Sequence, residues 1–543
     1  MKIVHGLPLR LSLAALSLTV ALPPVAVFAA DTAGPGVDAF ADPGSNSAAW
    51  ILPGHDYSAN RYIDMKQITA SNVATLKRAW RFKIPDDSPI EAQPVVWNGM
   101  MYVTSAHDHV YAVDAKTGEQ KWSYTESPHV IAFAANRGVA ILDGKLFLGT
   151  LDGHMIALDA KSGQKVWDVV GVHDPSNSFY TMQPVVYKHM LLMGVSNGDW
   201  GGIGYITAFN PDNGARVWEW NTVPGPGEPG HESWAGDSWK RGGAAVWSGL
   251  AIDPKTDTMY ADLGNPQPDF FGDARKGANL YSNSMVALDI SGAQPKLKWY
   301  YQFIPHDTHD WDPAMPPVRF SGRVNGQPRE LVAAGDKGGN FWILDATNGK
   351  LVSRTVVSTQ KGQDTDPSPA GNLACPNTNG GVEYNGGSYD PQTNIFYVPS
   401  IDECGIWKKL PTATYIAGQF YLGGTFPKLS GPNTGWMNAV DVSTGKFAWR
   451  KHQTLPALGG ALVTSTGLVF SGMTTGDFVA FDAKTGDTLW KDATGSPILA
   501  PPATYMLDGK QFVAVASGQA GNQAVPEMPQ VSANGSFLSA YSL

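Results

Sequence analysis

The sequence predicts an all-β protein, an eight-bladed β-propeller with Trp-containing repeats. A hairpin pattern recurs along the chain: apolar and polar residues alternate, the chain turns at Asp-x-x-Thr-Gly or a relative of it, and most copies end in Trp. In addition, 60 glycines and 39 prolines among 543 residues leave little room for long helices. The copies occupy residues 110–122, 155–167, 206–218, 285–299, 341–352, 437–449 and 478–490.

The spacing of the repeated Trp agrees with this fold. It is 45 residues from Trp122 to Trp167, 51 from Trp167 to Trp218, and 41 from Trp449 to Trp490. A period of roughly 40–50 residues is that of four short strands per propeller blade. Degenerate copies at 251–260 and 388–397 bring the total to about eight blades. We expect the Trp side chains to pack between blades, and binding residues to lie on the loops.

The first 29 residues have the pattern of a removable export signal. Basic residues precede the apolar run Leu11–Val20, and Val27 and Ala29 suit a cleavage site just after Ala29. An uncleaved N-terminal anchor is the alternative. No later segment is apolar for long enough to span a membrane. We therefore expect a periplasmic protein in which residues 30–543 form one propeller domain.

Charge and cysteine content restrict the partners. The net charge of −9 and the pI near 5.7 argue against nucleic acid or an anionic membrane, and suit a basic protein instead. No Cys-x-x-Cys-His occurs, which excludes covalently attached c-type haem. The two cysteines, Cys375 and Cys404, would in an exported chain more often form a disulfide than bind a metal.

The segment Pro305–Pro313 is unusually rich in ionisable groups. It contains Asp307, Asp310 and Asp312 with two histidines, in a chain with only 16% charged residues. Crowded carboxylates are unfavourable unless a cation, a proton or a basic neighbour offsets them, and oxygen ligands suit a hard cation such as calcium. Zinc on the histidines is less well supported, because a third imidazole is missing. A solvated turn is the remaining alternative.

Six motifs, together with the Trp repeat, resemble the quinoprotein alcohol dehydrogenases. These are periplasmic enzymes that use pyrroloquinoline quinone (PQQ) and a bound metal, and the resemblance runs from about Trp50 to the C-terminus. The motifs occur in the family's order and are Asn136–Gly138, Gly149–Gly153, Val223–His231, Leu263–Pro266, His306–Asp312 and Ala500–Pro502.

The resemblance implies one metal ion, calcium or a lanthanide, and four residues near it. Asp310 matches the catalytic base, which also approaches the metal, and Asn265 matches an amide ligand. Asp199 stands where most members have a glutamate ligand. Asp312 matches the extra carboxylate of the lanthanide-using branch.

The resemblance also implies the residues that hold PQQ. Trp247 should lie beneath the quinone, and Lys337 should lie near its oxygens. PQQ is planar and has three carboxylates, so an aromatic face and counter-charges are what it requires. In the family, further residues contact the carboxylates and the ring edges of PQQ. The residues of this chain that match them are Glu91, Arg137, Thr181, Ser196, Asn197 and Gly198.

The sequence departs from the family at three places. Most soluble relatives have two adjacent cysteines where this chain has Val130–Phe133, and a Trp where it has Leu458. Both changes predict a wider pocket, and hence bulky or secondary alcohols as substrates. The third departure is Asp199, whose reach is one methylene shorter. Cys375 and Cys404 match the family's structural disulfide.

The expected reaction is oxidation of an alcohol to the carbonyl, with electrons passed to an external acceptor such as a c-type cytochrome. One alternative keeps the enzyme but exchanges the alcohol for a sugar, a polyol or an aldehyde. A second alternative is a non-catalytic propeller scaffold with PQQ-like repeats.

Overall fold

The computed structural model describes Met1 and residues 34–125, 135–519 and 534–543. The predicted export signal, and the Val130–Phe133 segment in place of the family's cysteines, lie outside these residues. Every helix in the described part is a 3₁₀ turn of three or four residues, and none is long and apolar enough to cross a membrane. The helices are Val37–Phe40, Pro43–Ser45, Val73–Thr75, Gly198–Trp200, His231–Ser233, Ser238–Arg241 and Gly272–Ala274.

The chain is all-β, as the sequence predicted, and the described strands form eight sheets. The first five are antiparallel and follow chain order. Sheet 1 contains Val95–Trp97, Met100–Thr104, Val110–Asp114 and Gln120–Tyr124. Sheet 2 contains Ala140–Leu142, Lys145–Gly149, His154–Asp159 and Lys165–Val170. Sheet 3 contains Val185–Tyr187, Met190–Gly194, Tyr205–Phe209 and Arg216–Asn221. Sheet 4 contains Leu250–Asp253, Thr258–Leu263, Ser284–Asp289 and Lys296–Gln302. Sheet 5 contains Val318–Val324, Gln327–Gly335, Asn340–Asp345 and Leu351–Val356.

The last three sheets have longer or additional strands. Sheet 6 contains Asn372–Ala374, Ser388–Asp390, Ile395–Lys409, Gly424–Asp441 and Lys446–Gln453. Sheet 7 contains Gly459–Thr464, Leu468–Gly472, Asp477–Asp482 and Thr488–Ala493, with Tyr62–Ile63 added in parallel beside Gly459–Thr464. Sheet 8 contains Ala503–Leu507, Lys510–Ser517 and Ser536–Ser542, and its outer strand is Lys77–Ile84. The N-terminal and C-terminal parts of the chain therefore share two sheets.

The strands of one sheet differ in burial. Inner strands such as Met155 to Leu158 are buried on both faces, because a neighbouring sheet covers each face. Outer strands such as Lys165–Val170 alternate between exposed and half-buried residues.

Most of the repeated Trp side chains join their sheet to the next hairpin turn. The Nε1 of Trp122 donates a hydrogen bond to the carbonyl of Ala160 at 3.1 Å, and its ring lies against Gly163. The turn glycine has φ +72°, and a Cβ there would lie 2.5 Å from the ring. The same two contacts join Trp80 to Ala115 and Gly118, Trp167 to Pro211 and Gly214, Trp299 to Ala346 and Gly349, and Trp449 to Ala483 and Gly486.

The disulfide between Cys375 and Cys404 is present, as the family resemblance implied. It connects the end of Asn372–Ala374 to the middle of Ile395–Lys409, in sheet 6. The bond closes a loop over a sequence separation of 29 residues.

Replacing Gly163 by Ala tests the Trp–glycine contact. A left-handed Ala costs about 1–2 kcal/mol, and the clash with Trp122 should add about 1–3 kcal/mol. Gly99→Ala is the matched control, because Gly99 has φ +75° and open space around its Cα. We expect the apparent Tm to fall further for Gly163→Ala than for Gly99→Ala. Equal losses would show that the ring does not require glycine.

Candidate active site

One cavity of about 350 Å³ is lined by all twelve site residues named from the sequence. They span positions 91 to 337, so the fold brings together residues that are far apart in the chain. The twelve are Glu91, Arg137, Thr181, Ser196, Asn197, Gly198, Asp199, Trp247, Asn265, Asp310, Asp312 and Lys337.

The antiparallel sheets explain why these residues converge. In a four-stranded antiparallel sheet, the chain enters the first strand and leaves the second strand at the same end. Segments entering a first strand hold Glu91, Arg137, Thr181, Trp247, Asp310 and Asp312. Segments leaving a second strand hold Ser196 to Asp199, Asn265 and Lys337.

Carboxylates crowd together at one end of the cavity. Oxygens of Asp199, Asp269 and Asp310 all lie within 4.8 Å of one another. Two oxygens bound to one calcium-sized ion at 2.3–2.6 Å can be at most about 5 Å apart. The three carboxylates can therefore contact a single hard cation, and the amide of Asn265 lines the same cavity.

Burial and mutual repulsion raise the pKa values of this group. Burial raises the pKa of Asp199 to about 6, with Lys337 opposing the shift and Asp312 adding to it. Burial also raises the pKa of Asp310 well above its ordinary value, again against the effect of Lys337. A cation would remove the repulsion and keep the carboxylates ionised.

Lys337 forms ion pairs with both Asp310 and Asp312, and the pair with Asp312 is the closer one. Its Nζ lies 2.8 Å from Asp312 Oδ1 and 3.3 Å from Asp310 Oδ2. The other oxygen of Asp312 accepts a 2.7 Å hydrogen bond from Trp247 Nε1. Asp312 thus fixes the edge of the indole ring and lies between the aromatic and acidic parts of the cavity.

The remaining wall combines a guanidinium group, aromatic faces and hydroxyls. Arg137 Nη2 is 2.9 Å from Glu91 Oε2, and the guanidinium carbon lies 5.0 Å from the ring of Trp247. Thr181 Oγ1 is 2.8 Å from Ser196 Oγ and also bonds the carbonyl of Trp247. These contacts fix the orientation of Trp247.

The donor set fits a planar anionic ligand beside a cation. Two basic side chains flank the Trp247 face, and the cavity falls in the range of roughly 300–1,000 Å³ of small-molecule sites. The buried Arg137 Nε and Asn265 Nδ2 have no hydrogen-bond partner among the described residues. Gly198 leaves room as well, since a Cβ there would lie 3.5 Å from Asn265 Oδ1.

Sequence reasoning missed several residues of this region. Asp269 is not among the residues that line the cavity but belongs to the carboxylate group, and Glu383 and Tyr384 line the cavity beside Arg137. Burial raises the pKa of Glu383 to about 7. Asp269 comes four residues after Asn265, but this spacing in a loop carries no signal that could have identified it. Leu458, named as a departure from the family, does line the cavity.

Residues 50–358 and 421–513 match the family described as PQQ, glucose/ethanol/alcohol dehydrogenase, beta-propeller domain. The chain is 33% identical over 524 residues to the quinoprotein alcohol dehydrogenase PedH of Pseudomonas putida, covering 88% of this chain and 87% of the relative. It is 32% identical to the lanthanide-dependent methanol dehydrogenase of Methylacidiphilum fumariolicum, covering 87% and 85%. The structure of a europium-containing methanol dehydrogenase superposes with a TM-score of 0.84 at 29% identity, covering 93% and 100%. The family match includes all twelve site residues.

Replacing Lys337 by Gln tests its role as the internal counter-charge. Breaking a buried ion pair costs about 3–5 kcal/mol, because it leaves charge uncompensated. We expect the metal-free variant to melt well below the wild type. Lys409→Gln is the control, since Lys409 pairs with the exposed Asp273 and such surface pairs are worth about 0–1 kcal/mol. Similar Tm values for the two variants would contradict this role.

Proposed function

The chain belongs to the PQQ-dependent quinoprotein alcohol dehydrogenases, and we propose that it oxidises bulky or secondary alcohols in the cavity described above. It is thus an enzyme of the alcohol dehydrogenase class. The observation that supports the proposed site best is the convergence of a carboxylate group, two basic side chains and the Trp247 face on one cavity.

We assign the catalytic base to Asp310. It accepts the proton of the alcohol hydroxyl, and the positive charges of Lys337 and of the bound ion would keep its carboxylate ionised for that task. Lys337, 3.3 Å away, holds its orientation and stabilises its ionised form. When bound, PQQ would supply the two-electron oxidant and the metal ion the positive charge that polarises it.

The proposed PQQ-holding residues form the aromatic end of the cavity. Trp247 provides the flat surface, and its ring is fixed by Asp312 and by contacts to its backbone carbonyl. Arg137 and Lys337 supply positive charge for carboxylates and quinone oxygens. The other residues proposed to contact PQQ, by hydrogen bonds or by fitting against its surface, are Glu91, Thr181, Ser196, Asn197 and Gly198.

The proposed metal ligands are Asp199, Asn265, Asp310 and Asp312. Calcium and a lanthanide both fit oxygen ligands, and the number of carboxylates favours the higher charge. The relative that is named as lanthanide-dependent supports the same choice. Asp312 would have to share its carboxylate between the ion and Lys337, because Asp312 Oδ1 lies 2.8 Å from Lys337 Nζ in this structure.

Three further proposals concern the whole molecule. Each of the eight sheets is one blade of a closed ring, which is supported by Trp80 of sheet 8 reaching Ala115 of sheet 1. Residues 1–29 direct export to the periplasm, supported by their basic, apolar and small residues in that order. Reoxidation uses an external acceptor such as a c-type cytochrome, supported by the absence of a haem-attachment motif from the sequence.

Dye reduction with a panel of donors tests the activity. Protein reconstituted with PQQ and lanthanum should oxidise secondary and bulky primary alcohols faster than methanol, because Leu458 replaces a larger ring. Sugars, polyols and aldehydes are included to separate the alternative substrates. No turnover with any alcohol would reject the proposed reaction.

Calcium and lanthanum should differ in the activity that they support. We expect lanthanum to give turnover at least equal to calcium, since the site offers several carboxylates. In the Asp312→Ala variant, the turnover supported by lanthanum should fall further than the turnover supported by calcium. Activity of the wild type with calcium alone would reject the lanthanide assignment.

Asp310→Asn separates chemistry from binding. Loss of a positioned base lowers kcat by about 10²–10⁴-fold, whereas PQQ should still quench Trp fluorescence. Asp273→Asn, on the surface, serves as the control and should keep full activity. A variant at position 310 with near-normal kcat would exclude Asp310 as the base.

A further inference from the structure

Asp269 is the buried carboxylate that the proposed reaction leaves without a role. It is 1% exposed, and neither of its side-chain oxygens accepts a hydrogen bond from a donor among the described residues. Buried polar groups are almost always paired, since an unpaired one costs free energy comparable to a lost hydrogen bond or more. A carboxylate in this position requires a cation or a proton.

The direction of the side chain identifies the partner. One Asp269 oxygen lies within 4.8 Å of oxygens of both Asp199 and Asp310. Against the larger effect of burial, the charge of the nearby Arg275 guanidinium lowers the pKa of the Asp269 carboxyl, but the guanidinium donates no hydrogen bond to it among the described contacts. It donates instead to the backbone carbonyls of Pro268, Asp269 and Asp307 and to Asn279 Oδ1.

Backbone hydrogen bonds hold the three carboxylates in place. Arg275 ties the backbone at Asp269 to that at Asp307. The carboxylate of Asp307 accepts hydrogen bonds from the amides of His309 and Trp311, one on each side of Asp310.

A second connection joins Asp199 to the same structure. The amide of Tyr421 donates to the backbone carbonyl of Asp199 at 2.7 Å. The next residue, Leu422, accepts a 2.8 Å hydrogen bond from the amide of Phe270, the neighbour of Asp269. The three segments are therefore fixed before any ion binds, which is how a preorganised ligand set is built.

Asp269 and Asp312 differ in how their oxygens are used. Asp312 Oδ2 accepts a hydrogen bond from Trp247 Nε1 and Asp312 Oδ1 forms an ion pair with Lys337 Nζ, whereas neither oxygen of Asp269 has a hydrogen-bond donor among the described residues. Asp269 is thus the more available ligand, although the sequence pointed to Asp312.

We propose that Asp269 is a direct ligand of the metal ion, and that its charge makes the site prefer trivalent over divalent cations. With Asp199 and Asp310 it presents three carboxylates to one ion, and ion preference follows the charge and number of the ligands. The inference rests on the proposed function for the existence of a metal site, and extends it to the choice of metal.

Calorimetric titration of the metal-free, PQQ-free full-length protein tests the proposal. Lanthanum and calcium are each added to the wild type and to Asp269→Asn, which keeps the side-chain shape. We expect the Kd for lanthanum to rise about 10–100-fold, as for changes around other metal sites, and the Kd for calcium to rise less. Asp273→Asn, on the same loop but exposed and paired with Lys409, should leave both values unchanged.

The outcomes separate this inference from the proposed function. An unchanged lanthanum Kd in Asp269→Asn overturns the inference. If the wild type binds neither ion, both the inference and the proposed metal site are rejected. Weaker lanthanum binding in a protein that oxidises no alcohol supports the inference and rejects the function. If Asp269→Asn fails to fold, anomalous diffraction from lanthanum-soaked wild-type crystals tests the inference instead. We expect the ion to lie within about 2.6 Å of an Asp269 oxygen. A longer distance would show that the inference is wrong.

Discussion

Repulsion among buried carboxylates is the constraint on which this site depends. Asp199, Asp269 and Asp310 meet within 4.8 Å, and the positive charges of Arg275 and Lys337 offset part of their charge. Such a group remains ionised only if a cation joins it, so protons offset its charge in the metal-free protein and metal binding displaces them. Burial, together with repulsion from Asp312 and Asp199, raises the pKa of Asp310.

The scaffold makes this crowding tolerable. Most segments of the site leave or enter a strand whose residues are all buried, such as Val185–Tyr187 or Thr258–Leu263, and sheets are joined by Trp–glycine contacts such as Trp122 on Gly163. Around the carboxylates, the buried Arg275 and the amides that bind Asp307 hold the backbone rigidly. The stability of the whole fold thus compensates for a locally unfavourable arrangement.

The repeat explains how much could be learned from the sequence. Hairpin turns and Trp spacing are local signals, so they predicted an all-β chain correctly. Residues such as Asn265 and Asp310 lie in recognisable motifs, and all twelve predicted site residues do line one cavity. Asp269 could not be placed in this way, because its importance arises from Asp199, 70 positions away, and from hydrogen bonds of Arg275 that only the folded chain forms. The engagement of Asp312 by Trp247 and Lys337 was likewise invisible, since it depends on three separate loops.

The central claim is that one ion and PQQ occupy adjoining parts of a single cavity. Binding of the two must then be coupled, and the coupling is reciprocal. The most direct measurement is the affinity of the wild type for PQQ, followed by quenching of Trp fluorescence, without metal and with saturating lanthanum. Lanthanum should tighten PQQ binding by about 5–150-fold, the usual range for coupled sites. Equal affinities under the two conditions would contradict it.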